Sequence, residues 1–290
     1  MGFYSQNLSV LNFNPSNPHT SAIQIIKQSP YNSCYVATCS FDQTVKIWNL
    51  NNWALIRTFT GHNSHVYSAE FLNADIIATG DLSGIILIWS IGSGVINMTI
   101  NAGQYSSVNC LKMFSNGVYL AACLGVWSSN INIYSIHTGN LILSLIGHTS
   151  SVNDLVLING NGNNLLISSS SDNSIRIWDL NKNVTKFILN GHASGVFGLK
   201  LVSFDTLASG STDATIKLWN ITSGALIRTF ANLNSPIYYS IDLLSDGQTL
   251  VSGSWDFTLQ LWNLTTSQCL NTVTTSMHIF SLAVVKLNTI

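Results

Sequence analysis

Short runs in which apolar and polar side chains alternate recur along the whole chain, and clusters of small polar residues separate them. In the range 167–179, hydroxyl residues lead up to Asp172, an Asn-Ser pair follows, and Ile175 and Ile177 then alternate with Arg176 before Trp178. A period of two residues is typical of β-strands, and the small polar residues between the runs are typical of a tight turn. The range is therefore predicted to form a β-hairpin.

The aromatic residue that closes this hairpin recurs at a nearly constant interval. The equivalent residues are Trp48, Trp89, Tyr134, Trp178, Trp219 and Trp262, which lie 41, 45, 44, 41 and 43 residues apart. Six residues before each of them stands a turn residue, in order Asp42, Ser83, Ser128, Asp172, Asp213 and Asp256. A fixed period of about 20 to 50 residues indicates a repeat architecture, in which one structural unit is used several times.

Each repeat holds four short strands, which we call a, b, c and d in chain order. A Gly-His pair or its remnant precedes strand a by four residues, at His19, His62, Gln104, His148, His192 and Leu233. In the fifth repeat the four strands are predicted at 196–201, 206–211, 215–220 and 225–230. Since no window carries a convincing helical period, the fold is predicted to be all-β and built from four-stranded antiparallel units.

The Gly-His pair, the Ser-Gly-Ser-x-Asp turn and the Trp-Asn or Trp-Asp dipeptide at this period resemble the WD-repeat β-propeller family. The resemblance covers nearly the whole chain and implies a single propeller over residues 1–290, with six complete repeats and a partial seventh. The blades are expected at about 20–60, 64–101, 106–146, 150–190, 194–231 and 235–274.

The two ends of the chain are expected to contribute to the seventh blade. Residues 279–287 resemble a strand a, and residues 8–13 could supply a strand d that latches the ring. Three arrangements stay open: a piece of a longer protein, a two-part last blade, or a six-bladed ring with decorated ends. An open propeller edge exposes unpaired strand groups, which favours a longer protein or a partner that supplies the remainder.

In the resembling family a polar relay ties three strands of a blade together. It runs from the strand-c Trp to a strand-b Ser or Thr, the His of the d-to-a loop and the Asp of the b-to-c turn. The relays implied here are His19, Thr38, Asp42 and Trp48; His148, Ser168, Asp172 and Trp178; and His192, Ser209, Asp213 and Trp219. Ser40, Ser170 and Ser211 share the same strand face and are the alternatives for the strand-b member.

Three blades depart from the relay pattern. The second has Ser83 in place of the turn Asp, and the sixth has Leu233 in place of the His. The third has Gln104, Ser128 and Tyr134 and retains almost none of the relay. Since an orphaned buried polar group costs about 1 to 3 kcal/mol, the third blade is predicted to be the weakest.

The resemblance also implies that partners bind the face formed by the d-to-a loops and b-to-c turns. The predicted protein-binding residues are Phe41, Tyr67, Leu82, Trp127, Phe197, Tyr238, Trp255 and Phe280. The equivalent positions that carry smaller or polar residues are Gln24, Asn109, Asn153, Ser171 and Thr212. Exposed Tyr and Trp dominate binding hot spots, although some of these rings could instead lean inward and fill the space between blades.

Composition limits the partner classes. Charged residues make up 8% of the chain, the net charge is −1, and eleven Lys and Arg are spread thinly, whereas nucleic-acid binding needs clustered cations. The hydrophobic content is 46% and the mean hydropathy +0.30, yet no apolar run reaches the ~18 to 20 residues that span a bilayer. Without a signal-peptide pattern at the start, an intracellular, cytoplasmic protein is expected, with the nucleus left open. No membrane insertion is expected.

Catalysis and metal binding are not expected. The Ser, His and Asp of the relay resemble a nucleophilic triad, but the set recurs in several blades and no nucleophile elbow follows. The seven His have no zinc-ligand spacing, and the five Cys form no CxxC pair and cannot all be bridged, so reduced thiols are expected.

The sequence therefore predicts a non-catalytic interaction scaffold with no cofactor and no small-molecule substrate, whose partner is a protein or peptide. The alternatives are a structural propeller within a larger multidomain protein and, less favoured, a propeller enzyme.

Overall fold

The described part of the chain forms six separate antiparallel sheets of four strands each. A computed structural model describes residues 18–125, 127–160, 163–231 and 237–274, and these ranges contain 24 strands and no helix. Accordingly, the described part of the chain offers no helix of the length and apolar character needed to cross a membrane.

The first half of the chain builds three blades. Blade one contains β1 (Ile23–Gln28), β2 (Tyr35–Ser40), β3 (Thr44–Asn49) and β4 (Leu55–Thr60). Blade two contains β5 (Val66–Phe71), β6 (Ile76–Asp81), β7 (Ile85–Ser90) and β8 (Ile96–Asn101). Blade three contains β9 (Val108–Met113), β10 (Tyr119–Leu124), β11 (Ile131–Ser135) and β12 (Leu141–Leu145).

The second half repeats the arrangement. Blade four contains β13 (Val152–Gly160), β14 (Asn163–Ser170), β15 (Ile175–Asp179) and β16 (Val184–Leu189). Blade five contains β17 (Val196–Leu201), β18 (Thr206–Ser211), β19 (Ile216–Asn220) and β20 (Leu226–Phe230). Blade six contains β21 (Ile237–Leu243), β22 (Thr249–Ser254), β23 (Thr258–Asn263) and β24 (Cys269–Thr274).

Strand order in every sheet follows chain order, so each blade is an antiparallel meander of strands a to d. The pairing of strands c and d shifts register at the aromatic residue of strand c in all six blades, for example between Ile47 and Trp48. A bulge raises the local right-handed twist of a sheet, which suits blades that splay outward from a central axis.

The hydrophobic core lies between the blades rather than inside one sheet. One shared cluster joins Ile47 and Phe59 of blade one to Phe71, Ile77 and Trp89 of blade two. Equivalent clusters join each later blade to the next, up to blades five and six. Every blade therefore needs a neighbour to bury its faces, as expected for a repeat protein.

Over the described residues, the structure confirms the predicted all-β propeller with six four-stranded antiparallel blades. The expected partial seventh blade at 279–287 and the possible latch strand at 8–13 lie outside the described residues.

Candidate functional site

The polar relay joins a loop, a strand and a turn within one blade. In blade one, the His19 Nδ1 lies 2.9 Å from Asp42 Oδ2, and the His19 Nε2 lies 2.8 Å from Thr38 Oγ1. The Trp48 indole donates to the same Thr38 hydroxyl over 2.8 Å. The four side chains therefore form one continuous series of hydrogen bonds.

The same series occurs in blades four and five. In blade four, His148 lies 2.7 Å from Asp172 and 2.8 Å from Ser168, which accepts from the Trp178 indole over 2.9 Å. In blade five, His192 lies 2.8 Å from both Asp213 and Ser209, and the Trp219 indole donates to Ser209 over 2.8 Å. All twelve side chains predicted for the three relays are thus brought together as sets of four.

Hydroxyl residues two positions later on strand b have a different role. Ser40, Ser170 and Ser211 donate to backbone carbonyls of the d-to-a loop, at 3.2, 3.0 and 3.0 Å. Each also accepts from the backbone N–H of the turn Asp, at about the same distance. The alternative assignment of the relay to these serines is therefore wrong.

The second blade has a complete relay, contrary to the prediction. Asp81, at the end of β6, lies 2.8 Å from His62 Nδ1, while His62 Nε2 lies 2.8 Å from Thr79 Oγ1. The Trp89 indole donates to Thr79 over 2.8 Å. Asp81 also accepts from the backbone and hydroxyl of Ser83 over 2.9 and 2.7 Å, so one carboxylate both caps the turn and completes the relay.

The third blade replaces the relay with a smaller network. Asn132 donates to the Tyr134 hydroxyl over 2.9 Å, and that hydroxyl lies 3.4 Å from the Ala102 carbonyl. Ser144 donates to the other end of Asn132 over 2.7 Å. These bonds join strands c and d and the preceding loop, whereas strand b takes no part in them.

The sixth blade keeps part of the relay. The Trp262 indole donates to Ser252 over 2.9 Å, and Asp256 accepts from the backbone and hydroxyl of Thr258 within its turn. Leu233, the residue in place of the His, lies outside the described residues.

The glycine before the histidine makes room for the tryptophan. A Cβ placed on Gly61 would lie 2.6 Å from Cη2 of Trp89, and one on Gly191 would lie 3.1 Å from Cη2 of Trp219. The glycine of the Gly-His pair thus makes room for the indole, and the histidine hydrogen-bonds the strand-b hydroxyl that accepts from the same indole.

The turn carboxylates are held in the ionised form. Burial acts to raise the pKa of Asp42, but hydrogen bonds from Thr44, Thr20 and His19 outweigh it and lower the pKa to about 2. The pKa values of Asp81, Asp172 and Asp213 are lowered by the same balance. For His19, burial lowers the pKa although Asp42 opposes it. The relay hydroxyls are fully or largely buried, as expected of a structural network.

The innermost strands carry one charged residue each, and the sign alternates from blade to blade. In order these are Lys27, Glu70, Lys112, Asp154, Lys200 and Asp242. Lys27 lies 2.7 Å from Glu70, and Lys200 pairs with Asp242. Burial acts to raise the pKa of Glu70, but the charges of Lys27 and Lys112 outweigh it and lower the pKa. These groups therefore bridge neighbouring blades.

The face carrying the d-to-a loops and b-to-c turns is held by a recurring backbone bond. In four blades, the backbone N–H of the residue just before the turn position donates to a carbonyl of the d-to-a loop over 2.9 to 3.0 Å. The donor residues are Phe41, Leu82, Ser171 and Thr212. We call this end of the propeller the top face. Four of the predicted positions on the turns are thus hydrogen-bonded to the adjacent loop.

Three predicted aromatic residues of the top face are half-buried. The Phe41 ring lies 4.7 Å from His65 and 5.6 Å from Tyr67 between ring centroids. Tyr67 also lines a shallow depression with Gln24, Ile25 and Asn109. Phe197 rests beside Gly195, where an added Cβ would come within 3.0 Å of its ring. Each of these three rings exposes only part of its surface.

Two polar residues at predicted top-face positions hydrogen-bond to the neighbouring blade instead. Asn109 donates to the Val152 carbonyl of the next blade over 2.8 Å, and Asn153 donates to the Val196 carbonyl over 2.8 Å. Since Asn153 is also buried, these two side chains contribute to the contact between blades.

Three of the turn positions are the most exposed of the predicted binding residues that the structure describes. Trp127 has 81% of its surface exposed, Trp255 43% and Leu82 41%. Sequence reasoning missed three further exposed apolar residues of the top face: Tyr105 and Ile146 on d-to-a loops, each 73% exposed, and Phe257 on the b-to-c turn of blade six, 38% exposed. Tyr105 directly follows the relay position Gln104, and Ile146 lies two residues before His148. A comparison of the loop residues around the relay position between repeats could have found these two. The side chain of Tyr238 and all of Phe280 lie outside the described residues.

Comparison with known proteins gives the same repeat. The family model described as "WD domain, G-beta repeat" matches residues 10–49, 53–90, 139–179, 183–220 and 224–263. The interval left between the second and third matches, 91–138, contains most of blade three, whose relay is missing.

Curated relatives are similar over part of the chain. It is 27% identical over 153 residues to Protein SPA1-RELATED 3 of Arabidopsis thaliana, covering 52% of this chain and 17% of that protein. It is 31% identical over 116 residues to F-box/WD repeat-containing protein sel-10 of Caenorhabditis elegans, covering 39% of this chain and 19% of that protein. It is 25% identical over 182 residues to the probable coatomer subunit beta' of Schizosaccharomyces pombe, covering 62% of this chain and 17% of that protein. The chain thus spans less than a fifth of these relatives.

Proposed function

Since the chain belongs to the WD-repeat family, we propose that it is a protein-interaction scaffold whose top face captures a peptide or a loop of another protein. Propellers of this family are generally scaffolds for protein interaction rather than enzymes. The proposal concerns which surface of this chain binds and through which side chains.

The observation that carries the proposal is the exposure of Trp127 on the turn of blade three. Tyr105 and Ile146, on loops at the two sides of the same blade, are also exposed. Buried apolar area is worth about 25 cal/mol per Å², so large apolar side chains displayed on one end of a molecule favour a surface that a partner covers.

Aromatic anchors are also the groups best suited to this chain. With charged residues at 8%, electrostatic attraction contributes little, and a partner has to be held by apolar contact and backbone hydrogen bonds. Tyr and Trp bury large areas with few rotatable bonds, which is why they dominate binding hot spots. The expected partner segment is therefore apolar and weakly charged.

The test is selection of displayed random peptides on the full chain, alongside affinity capture from a native lysate. Trp127→Ala is expected to weaken binding of the selected peptides at least tenfold, since a hot-spot residue is worth about 2 kcal/mol or more. The double variant Trp255→Ala with Phe197→Ala tests the remaining top-face aromatics.

Phe204 provides the matched control. It is 85% exposed and lies in the turn between β17 and β18, at the opposite end of the propeller. Phe204→Ala is expected to bind selected peptides like the unaltered chain. Equal loss in Phe204→Ala, or no loss in the top-face variants, would reject the top face as the binding surface.

A second function is favoured by the coverage of the relatives. Because the chain spans less than a fifth of the three relatives above, it could serve as the structural propeller of a larger protein whose other domains act. In that case the top-face variants would leave the partner set of the full-length protein unchanged, whereas removal of a flanking domain would alter it.

A further inference from the structure

Two of the five cysteines face each other across neighbouring strands of blade three. Cys110 of β9 and Cys123 of β10 are direct partners in the antiparallel register. Side chains of directly opposed residues lie on the same face of a sheet, with Cβ atoms about 4.5 to 5.5 Å apart. A cross-strand disulfide needs only a slight approach from that spacing.

The two thiols share one environment. Cys123 is fully buried in the cluster between blades three and four, and Cys110 packs against the same cluster while remaining half-exposed. Burial raises the pKa of the Cys123 thiol well above its usual value, and the adjacent Cys110 thiol adds to the effect. The Cys110 Sγ also lies 3.4 Å from Asp154 Oδ1 of blade four.

The other cysteines are not arranged in this way. Cys34 accepts from the Asn51 side chain, Cys39 lies 3.8 Å from the Ser68 carbonyl of blade two, and Cys269 is exposed on β24. Among the strand pairings that the structure describes, Cys110 and Cys123 are the only cysteines that oppose each other. All five thiols are free in the structure.

We propose that Cys110 and Cys123 are a site of reversible covalent modification, at which a low-molecular-weight disulfide such as oxidised glutathione converts the two thiols into a cross-strand disulfide. The half-exposed Cys110 is the entry point, and the buried Cys123 is the residue that resolves the mixed disulfide.

The exchange proceeds in two balanced steps. Cys110 loses its proton, and its sulfur attacks one sulfur of the oxidant, forming a mixed disulfide and releasing one thiolate. Cys123 then loses its proton, and its sulfur attacks the Cys110 sulfur and expels the second thiolate. The protein gives up two electrons and two protons, and the oxidant leaves as two thiols. A small reducing thiol reverses both steps.

A Cys110–Cys123 bond would add a covalent link to the blade that lacks the polar relay. Strand b takes no part in the network around Tyr134, and blade three has no His to join it to the loop before strand a. A bond from Cys110 to Cys123 joins strands a and b covalently in this blade. It also removes the thiol hydrogen that faces Asp154 across the interface to blade four.

The sequence makes the bond simple to detect. Trypsin cleaves after Arg57, Lys112 and Arg176, so Cys110 and Cys123 fall in the separate peptides 58–112 and 113–176. Cys34 and Cys39 share peptide 28–46, and Cys269 lies in peptide 229–286. The folded full chain is incubated with oxidised glutathione, alkylated, digested without reductant and analysed by mass spectrometry.

A linked 58–112/113–176 species is expected as the major disulfide, and it should disappear on treatment with dithiothreitol. It should be absent from Cys110→Ser and from Cys123→Ser, and it should persist in Cys39→Ser, the buried control, and in Cys269→Ser. Circular dichroism of each variant verifies that the chain has folded before oxidation.

Three outcomes would overturn the proposal. They are a linked species that forms only after unfolding in urea, glutathione that remains on Cys110 without resolution, and a folded chain in which only Cys269 reacts.

Discussion

At the scale of single residues, four buried histidines are each fixed in one tautomer. An ionised carboxylate can only accept, so Nδ1 of each His carries the proton and Nε2 accepts from the Ser or Thr hydroxyl. That hydroxyl in turn accepts from the Trp indole. Each group in the series donates to the next, from the indole through the hydroxyl and the imidazole to the carboxylate, so each polar atom in the series has a hydrogen-bond partner. A buried polar network has a low energetic cost only when this condition is met.

Asp81 provides the sharpest test of the relay at this scale. Asp81→Ala removes the acceptor for His62 and for the turn that contains Ser83, and it is expected to lower the free energy of unfolding by about 3 kcal/mol. Ser83→Ala, the control, removes one exposed hydroxyl bond and should cost about 0.5 to 1 kcal/mol. Denaturant titration measures both, and equal losses would show that the Asp81 bond to His62 is unimportant.

The lowered carboxyl pKa values predict loss of stability in acid. The folded pKa of Asp42 is about 2, below the value of about 3.9 in an unfolded chain. Its contribution is therefore complete above about pH 4 and is lost as the pH falls toward 2, by on the order of 2 kcal/mol.

The corresponding measurement is the free energy of unfolding against pH. Asp42→Asn should flatten the curve between about pH 5 and pH 2 relative to the unaltered chain. An unchanged slope would show that Asp42 does not titrate with folding.

At the scale of elements, the blades have the same strands but different internal ties. In blade five the relay joins β18, β19 and the preceding loop, whereas in blade three β10 depends on backbone pairing and apolar contact. Burial is comparable, since β10 and β18 are both almost wholly buried. The difference between these blades is therefore one of hydrogen bonding rather than packing.

Hydrogen exchange tests this difference. Backbone amides of β10 are expected to exchange about tenfold faster than those of β18, since the missing relay bond is worth about 1 to 1.5 kcal/mol. Mass spectrometry of peptides from the two strands under reducing conditions makes the comparison within one sample. Equal protection of the two strands would contradict the prediction that blade three is the weakest.

The same elements show what the sequence could and could not predict. Strand periodicity and the aromatic interval determine the blades, because both follow from which residues must be buried. The role of Asp81 could not be predicted from spacing, because two positions near one turn can both reach the His and only geometry selects between them. Trp127 on a turn and Asn153 on strand a were both predicted at the top face, yet one side chain lies in solvent and the other donates to the next blade.

At the scale of the whole molecule, the charges of the inner strands link adjacent blades. Glu70 pairs with Lys27 of blade one, accepts from the backbone of Met113 in blade three, and lies in the field of Lys112. Since the signs alternate, each charge has neighbours of opposite sign. The arrangement opposes relative sliding of the blades, which apolar contact alone does not prevent.

Removal of this central carboxylate should be costly. Glu70→Gln removes the carboxylate between Lys27 and Lys112, which leaves Lys27 beside a like charge and Lys112 with Asp154 as its remaining opposite charge. It is expected to destabilise the chain by about 2 kcal/mol. Lys182→Met is the control, because Lys182 is 76% exposed and lies 3.9 Å from Asp179, and it should change stability by less than about 0.5 kcal/mol. Equal effects in thermal or denaturant unfolding would show that the charges of the inner strands do not hold the blades together.

Because strand order within each blade follows chain order, the blades can form one after another during synthesis. Within a blade, every strand after the first pairs with the strand that precedes it in the chain, and each of blades two to six packs on the blade before it. A blade can therefore form its hydrogen bonds as soon as its own residues have left the ribosome, without waiting for distant segments. Synthesis itself would then set the order of assembly, with each finished blade providing the surface on which the next one settles.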